Sequence, residues 1–190
     1  FPGPKYVGPQ AERFRVWDET SADQSLDYCS GCGVCTQVCP QGVHIAEINT
    51  QARAKMRERT GFTLRDRLLA RPDVIGRLST PVAPLVNVTL HHGATRALGE
   101  KLVGLHREAA LPAYPGRTFQ RWARKHTSPP AARRVAYFHG CGANWSEPDV
   151  AQKTVELLEW AGCQVDVPKG QLCCGLPAQS NGMFDLARKY

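Results

Sequence analysis

Two kinds of hydrophobic spacing follow one another along the chain. Through the middle, Leu64, Leu68 and Leu69, then Val74, Ile75 and Leu78, then Leu98, Leu102, Val103 and Leu105 recur at intervals of three and four residues, which predicts short amphipathic helices. Pro72, Pro81 and Pro84 separate them, because proline lacks the amide proton and fixes φ. Helices this short and one-sided need a surface to pack on, which the chain's own core, a partner subunit or a membrane interface could supply. Ile45 to Arg59 reads as a longer helix of good helix formers with a polar face, and a short helix is expected near Ala11 to Phe14.

Beyond a stretch rich in proline, arginine and lysine at 112–132, which reads as a linker, the period changes. Val135 to Phe138 has the composition of a short strand. Pro148 opens a helix at Asp149 to Ala161 in which Val150, Thr154, Leu157, Leu158 and Ala161 share one face and Gly162 ends it. Val165 to Val167 forms a second strand stopped by Pro168. Strand, helix and strand at this length make a βαβ unit with parallel strands. The fold class is therefore mixed: an α-helical cluster-type region at 1–60, a helical connector at 61–132, and the start of an α/β domain at 133–190.

Composition is that of an ordinary globular protein, with 42% hydrophobic and 22% charged residues. The net charge of +7 comes from arginine-rich stretches such as 53–59, 65–71 and 117–134. Solvated helix faces explain it, and an acidic partner or anionic lipid would suit it. No helix-turn-helix, RNP-like or zinc-finger spacing accompanies the charge, so no nucleic acid is expected as partner. The longest apolar candidate for a spanning helix, Pro81 to Leu90, contains two prolines and an asparagine, and is shorter than the roughly 20 residues a span needs.

The eight cysteines change the picture most, because they are clustered. Cys29-Ser-Gly-Cys32-Gly-Val-Cys35-Thr-Gln-Val-Cys39-Pro40 has the C-x2-C-x2-C-x3-C-P spacing of bacterial-type ferredoxins. Two small intervening residues let successive thiolates reach different irons of one cubane, and Gly31 and Gly33 leave the backbone free to wrap it. A zinc site is the competing reading, yet zinc ribbons place their ligand pairs on separated knuckles. Two arrangements stay open: one cubane on all four cysteines, or Cys29, Cys32 and Cys35 on one cubane and Cys39 on a neighbour.

A second constellation joins Cys141, in His139-Gly-Cys-Gly, to Cys173-Cys174-Gly175, with 31 residues between Cys141 and Cys173. Each part follows an expected strand, where open α/β sheets place ligand sites, so the strand ends could bring the three thiols together. The competing reading is buried small hydrophobes, and it is the expected one for Cys163. His139 beside Cys141 is a candidate ligand or hydrogen-bond donor. Gly140 and Gly142 do not begin a dinucleotide fingerprint, since Trp145 stands where its last glycine belongs. No Ser/His/Asp order or phosphate-cradling glycine loop occurs, and no catalytic residue is assigned.

These residues resemble the iron–sulfur subunits of the anaerobic glycerol-3-phosphate dehydrogenase type, relatives of the heterodisulfide reductase and glycolate oxidase iron–sulfur subunits. The opening FPGPKYVGPQAER resembles the family's segment between two ferredoxin motifs, and Cys29 to Pro40 the second of those motifs. STPVAPLVN at 79–87 and LPAYPGRTFQRW at 111–122 resemble its connector, and Cys141 with Cys173-Cys174-Gly175 the first half of its cysteine-rich CCG module. The chain departs from the family pattern in having neither the first ferredoxin motif nor the closing C-x-x-C of the module, and we read it as a fragment. The resemblance implies one or two [4Fe-4S] clusters on Cys29, Cys32, Cys35 and Cys39, and a further cluster on Cys141, Cys173 and Cys174. It also implies flavoprotein dehydrogenase subunits as partners, quinone as acceptor, and a peripheral position on the cytoplasmic face of the inner membrane. The same cysteine motifs would suit a glycolate, lactate or heterodisulfide complex. Outside redox chemistry the alternative is a zinc-stabilised interaction or nucleic-acid-binding protein.

Overall fold

A computed structural model describes Gly3, Pro4, residues 6–18 and residues 25–190. Parts of the opening segment, at 1, 2, 5 and 19–24, lie outside the described residues. The chain divides into two compact units, Phe1–Ala70 with Gly175–Lys189, and Arg71–Cys174 with Tyr190.

The first unit is helical. It contains α1 (Ala11–Trp17), α2 (Val34–Gln37), α3 (Ile45–Thr60), α4 (Leu64–Leu69) and two short helices at Leu176–Ser180 and Phe184–Ala187. The long α3 runs one residue past the expected end at Arg59 and stops at Thr60, with Gly61 following it. Its buried face is not apolar: it consists of Asn49, Ala52 and Arg53. The Arg53 guanidinium, 8% exposed, donates to the backbone carbonyls of Leu26, Cys29 and Ser180. Burial lowers its pKa, yet it supplies a donor to the carbonyls of Cys29 and Ser180 and a second one to Leu26 O, which also accepts from the Cys29 amide. One turn on, Arg57 faces Asp66 at 3.2 Å and Asp27 at 3.7 Å. Asp66 also builds the start of α4, where the Thr63 hydroxyl accepts from the Asp66 amide and the Asp66 carboxylate accepts from the Thr63 amide, both at 3.1 Å. This reciprocal capping satisfies two amides that a helix start leaves orphaned. Val7, Ala11, Ser25, Leu26, Ala70 and Ala178 are buried too, and the alanines among them let the short helices approach closely.

The second unit contains α5 (Pro72–Ser79), α6 (Ala83–His91), α7 (Gly93–Val103), α8 (Phe119–Ala123), β1 (Arg133–Ala136), α9 (Gly140–Trp145), α10 (Pro148–Trp160) and β2 (Cys163–Asp166). The two strands are parallel, Arg133 opposite Cys163 and Ala136 opposite Asp166, with α9 and α10 between them in sequence. The expected βαβ unit is present, with each strand starting two residues earlier than its apolar residues suggest. Its core is Phe119, Ala151, Val155 and Val165.

Two readings need correction here. Phe119, inside the stretch read as a linker, is fully buried and packs edge-on to Tyr137 with ring centroids 5.7 Å apart. On α10 the core takes Ala151, Val155 and part of Leu158, whereas Val150 and Leu157 are exposed. Two adjacent apolar stripes run along that helix, and the one carrying the small Ala151 allows the closer approach to the sheet and to Phe119. The middle helices find only partial cover in their own unit. Leu78, Leu85, Leu98 and Leu102 are exposed, and α5, α6 and α7 bury only Gly76 and Ala83. What orders the stretch after α7 is polar: Asn87 and Tyr114 exchange two 2.9 Å hydrogen bonds, and Arg96 donates to the carbonyls of Leu90, Arg107 and Ala109.

Gly76 shows how tightly α5 meets α9. A Cβ there would lie 2.3 Å from Cγ of Trp145, a separation no pair of carbon atoms tolerates. Gly76→Ala is expected to cost about 1–3 kcal/mol of stability despite the better helix propensity of alanine. Urea denaturation checks this, and adding Trp145→Ala should recover part of the loss, since the two residues are in contact.

Candidate metal centre

The first cysteine group is built on a tight backbone path. The turn Ser25–Tyr28 delivers Cys29, whose amide donates to Leu26 O at 3.0 Å. Gly31 and Gly33 follow with φ of 71° and 78°, left-handed conformations that side-chain-bearing residues avoid. Gly33 caps α2, which carries Cys35. The Thr36 hydroxyl then ties α2 to the start of α3, accepting from the Ala46 amide at 3.1 Å and donating to Glu47 at 3.2 Å. Cys39 closes the loop, its sulfur accepting from the Val43 amide at 3.4 Å.

Cys29, Cys32 and Cys35 line one cavity of about 270 Å³ with apolar neighbours that include Val7, Val34 and Val38. Cys39 does not line it. The Cys32 thiol is exposed, and the Val34 amide and the Ser30 hydroxyl hold its pKa below the ordinary thiol value. Amide donors aimed at cysteine sulfur are what a thiolate-bound cluster requires. Donor chemistry and cavity thus fit an iron–sulfur cubane. Among the described residues no three His, Cys, Asp or Glu side chains already converge closely enough to hold a single metal ion.

The second group is partly assembled. Cys141 lies in the first turn of α9, just beyond β1, and Cys173 in the segment after β2, with their sulfurs 3.7 Å apart. Cys141 is half-buried, Cys173 buried and Cys174 exposed. Gln171 brings the two strand ends together. Its carbonyl oxygen accepts from the His139 amide at 3.0 Å, and its amide nitrogen donates to Tyr137 O at 2.9 Å and Pro168 O at 3.1 Å. His139 is buried, with Nδ1 2.7 Å from Gly140 O and Nε2 3.3 Å from Nε2 of Gln120. Such partners assign the proton to Nδ1, leaving Nε2 to accept from Gln120. Cys163, expected as a core residue, is 5% exposed in β2. Cys141, Cys173 and His139 line a cavity of about 530 Å³, which Arg77, Arg121 and Arg124 also border. Sequence reasoning missed Gln171, Arg53 and these three arginines. None belongs to a cysteine motif; the basic stretches 53–59 and 117–134 contain Arg53, Arg121 and Arg124, whereas nothing singled out Arg77 or Gln171.

The chain therefore carries two recognisable modules. Residues 24–43 match the 4Fe-4S binding domain, and residues 135–190 match the cysteine-rich CCG domain. More particularly, it is a homologue of the C subunit of the anaerobic glycerol-3-phosphate dehydrogenase of Escherichia coli (strain K12), 37% identical over 191 aligned residues that take in 100% of this chain and 48% of that protein. It is also similar to a probable glycolate oxidase iron-sulfur subunit of Bacillus subtilis (strain 168), 27% identical over 83% of the chain and 38% of that protein. Lactate utilization protein A of the same organism is 45% identical over 56 residues, 30% of the chain and 24% of that protein. The chain spans about half the length of the glycerol-3-phosphate dehydrogenase subunit it matches, and less of the other two. No solved structure matches it. Among the described residues no helix is long and apolar enough to cross a membrane.

Proposed function

We propose that this chain is an electron-transfer portion of the iron–sulfur subunit of an anaerobic glycerol-3-phosphate dehydrogenase, passing electrons from a flavoprotein subunit towards membrane quinone. The observation that carries the reading is the cysteine loop, in which Cys29, Cys32 and Cys35 share a cavity lined by apolar residues. Similarity along the whole chain to the Escherichia coli dehydrogenase subunit supports the choice of complex. Cys29, Cys32, Cys35 and Cys39 would hold the first cluster, and Cys141, Cys173 and Cys174 would contribute to a second. A cluster bound there stores and releases single electrons, and no substrate bond is made or broken on this chain.

The residues around the cysteines have separate tasks. Gly31 and Gly33 let the loop turn without side chains between thiolate and metal. The Val34 and Val43 amides supply hydrogen bonds to sulfur, which stabilise the reduced, more negative state. Val34 and Val38 keep bulk water from one side. Gln171 holds the Cys141 and Cys173 segments in register. Exposed Leu78, Leu85, Leu98 and Leu102 in a basic chain suit peripheral contact with a membrane or with the flavoprotein subunits.

A second reading, the iron–sulfur subunit of a glycolate or lactate oxidising complex, is favoured by the similarity to the Bacillus subtilis proteins. Reduction of the clusters by the co-purified flavoprotein with glycerol 3-phosphate, but not with glycolate or lactate, would decide between them. The primary test is iron, zinc and acid-labile sulfide content, with an EPR spectrum, on protein purified without oxygen and reduced with dithionite. Iron and sulfide in near-equal amounts with a rhombic signal are expected. Zinc without sulfide would overturn the electron-transfer reading and return the basic middle to a binding role.

A further inference from the structure

We propose that the cavity beside Cys141 and Cys173 is a binding site for a small oxyanion, a carboxylate or a phosphate monoester, held by Arg77, Arg121 and Arg124. Within the second unit this cavity, of about 530 Å³, is large enough for a small organic molecule. Such a site does not depend on the electron-transfer reading, because the arginines border the cavity whatever the thiols hold.

Three observations carry it. First, the charges around the cavity are one-sided and unspent. Among the described residues none of the three guanidiniums makes an ion pair or donates a side-chain hydrogen bond. The one carboxylate that lines the cavity, Asp73, already accepts from the Tyr190 hydroxyl at 2.5 Å. Burial and that carboxylate push the Tyr190 phenol well above its ordinary pKa, so the hydroxyl stays the donor.

Second, a buried amide is left with donors to give. Asn144 is 3% exposed, and its Oδ1 accepts from the Gln120 amide at 3.0 Å. Its Nδ2 has no partner among the described residues while the side chain lines the cavity. Among the described residues the buried side-chain atoms without a partner are Asn49 Oδ1 and Arg57 Nε, so the Asn144 nitrogen is open to the cavity, where an anion could replace solvent as its acceptor.

Third, the spacing is unfavourable without a ligand. Arg121 and Arg124 stand three apart at the end of α8, where like charges repel. An oxyanion between two guanidinium forks converts that repulsion into paired, charge-assisted hydrogen bonds. An uncharged quinone ring would do the opposite, covering three guanidiniums and the Asn144 amide without satisfying them. The chemistry of the cavity therefore selects an anion.

The test is calorimetric titration of the chain with inorganic phosphate, with malonate and with glycerol, at ionic strength held constant with chloride. Saturable binding of phosphate or malonate, and none of glycerol, is expected; whichever of the two binds tighter names the source of the oxyanion. Replacing both Arg121 and Arg124 by glutamine should weaken binding roughly tenfold or more, whereas Lys125→Gln, an exposed neighbour outside the cavity lining, should leave it unchanged. Circular dichroism melting establishes that the double variant is folded. Iron and sulfide analysis of the same samples separates the two proposals. A wild-type chain with its iron but no saturable anion binding overturns the anion site and leaves the electron-transfer reading standing. A double variant that binds the anion as well as wild type also overturns it. Loss of iron together with loss of anion binding overturns it too, because the arginines would then be balancing the charge of a cluster.

Discussion

Cys32→Ser is expected to abolish the iron–sulfur signal of the ferredoxin-type loop, with iron per chain falling to whatever the second centre retains. Cys32 sits between two left-handed glycines, exposed, with the Val34 amide and Ser30 hydroxyl lowering its pKa. A serine hydroxyl is far harder to deprotonate and is a poor match for iron that prefers soft sulfur ligands. It would leave two of the three thiolates that line the cavity. Cys163→Ser is the contrasting variant. That side chain is 5% exposed within β2, so a hydroxyl there should cost about 1–3 kcal/mol of stability with iron content unchanged. Iron and sulfide assays on the two variants check both halves of the expectation. Equal iron loss in both would sink the ligand assignment.

The contrast between these two cysteines was legible in the sequence because it lies in spacing. Four cysteines within eleven residues, followed by proline, define a loop without reference to the rest of the chain. The βαβ unit was legible for a similar reason, since the change from helical to strand periodicity at Val135 and Val165 is local. Features set by packing between distant segments were not. Phe119 lies among prolines and arginines and looks like linker, yet it fills the centre of the second unit. On α10 the sequence offered two adjacent apolar stripes, and the one with Ala151 is the one that packs with Phe119 and Val165. Gln171 is a lone polar residue with no periodicity around it. Its value comes from three backbone groups on segments that meet only in the folded chain. The second cysteine group shows both sides. Strand-end logic placed Cys141 and Cys173 together, and their sulfurs are 3.7 Å apart, but it gave no sign that Cys173 would be buried and its neighbour Cys174 exposed.

Arg53→Met is expected to be the most damaging substitution outside the cysteines, lowering the stability of the first unit by about 2–4 kcal/mol. Two effects oppose each other. Removing a buried guanidinium recovers the cost of its desolvation, which is large enough to lower the pKa of this arginine. Against that, the carbonyls of Leu26, Cys29 and Ser180 lose the guanidinium together, although Leu26 O keeps the Cys29 amide. Charge-assisted hydrogen bonds contribute about 1.5–3 kcal/mol each, and a methionine replaces part of the apolar stem but offers no donor; Leu26 O keeps the Cys29 amide, while the oxygens of Cys29 and Ser180 lose the donor that reaches them, so the loss wins. Arg53→Lys should recover little of it, because one ammonium cannot reproduce a planar fork aimed at three acceptors. The effect should also be local. Amide exchange ought to accelerate around 25–29 and 176–180, the two stretches that the guanidinium joins, while the second unit keeps its protection. Since one of the freed carbonyls belongs to Cys29, the cluster loop should lose order with them, and iron retention under mild chelation should fall more than in Cys163→Ser. Urea denaturation with exchange mass spectrometry measures all of this. A methionine variant as stable as wild type would mean that water satisfies the three carbonyls as well as Arg53 does, and that the cysteine loop is held by its own turns alone.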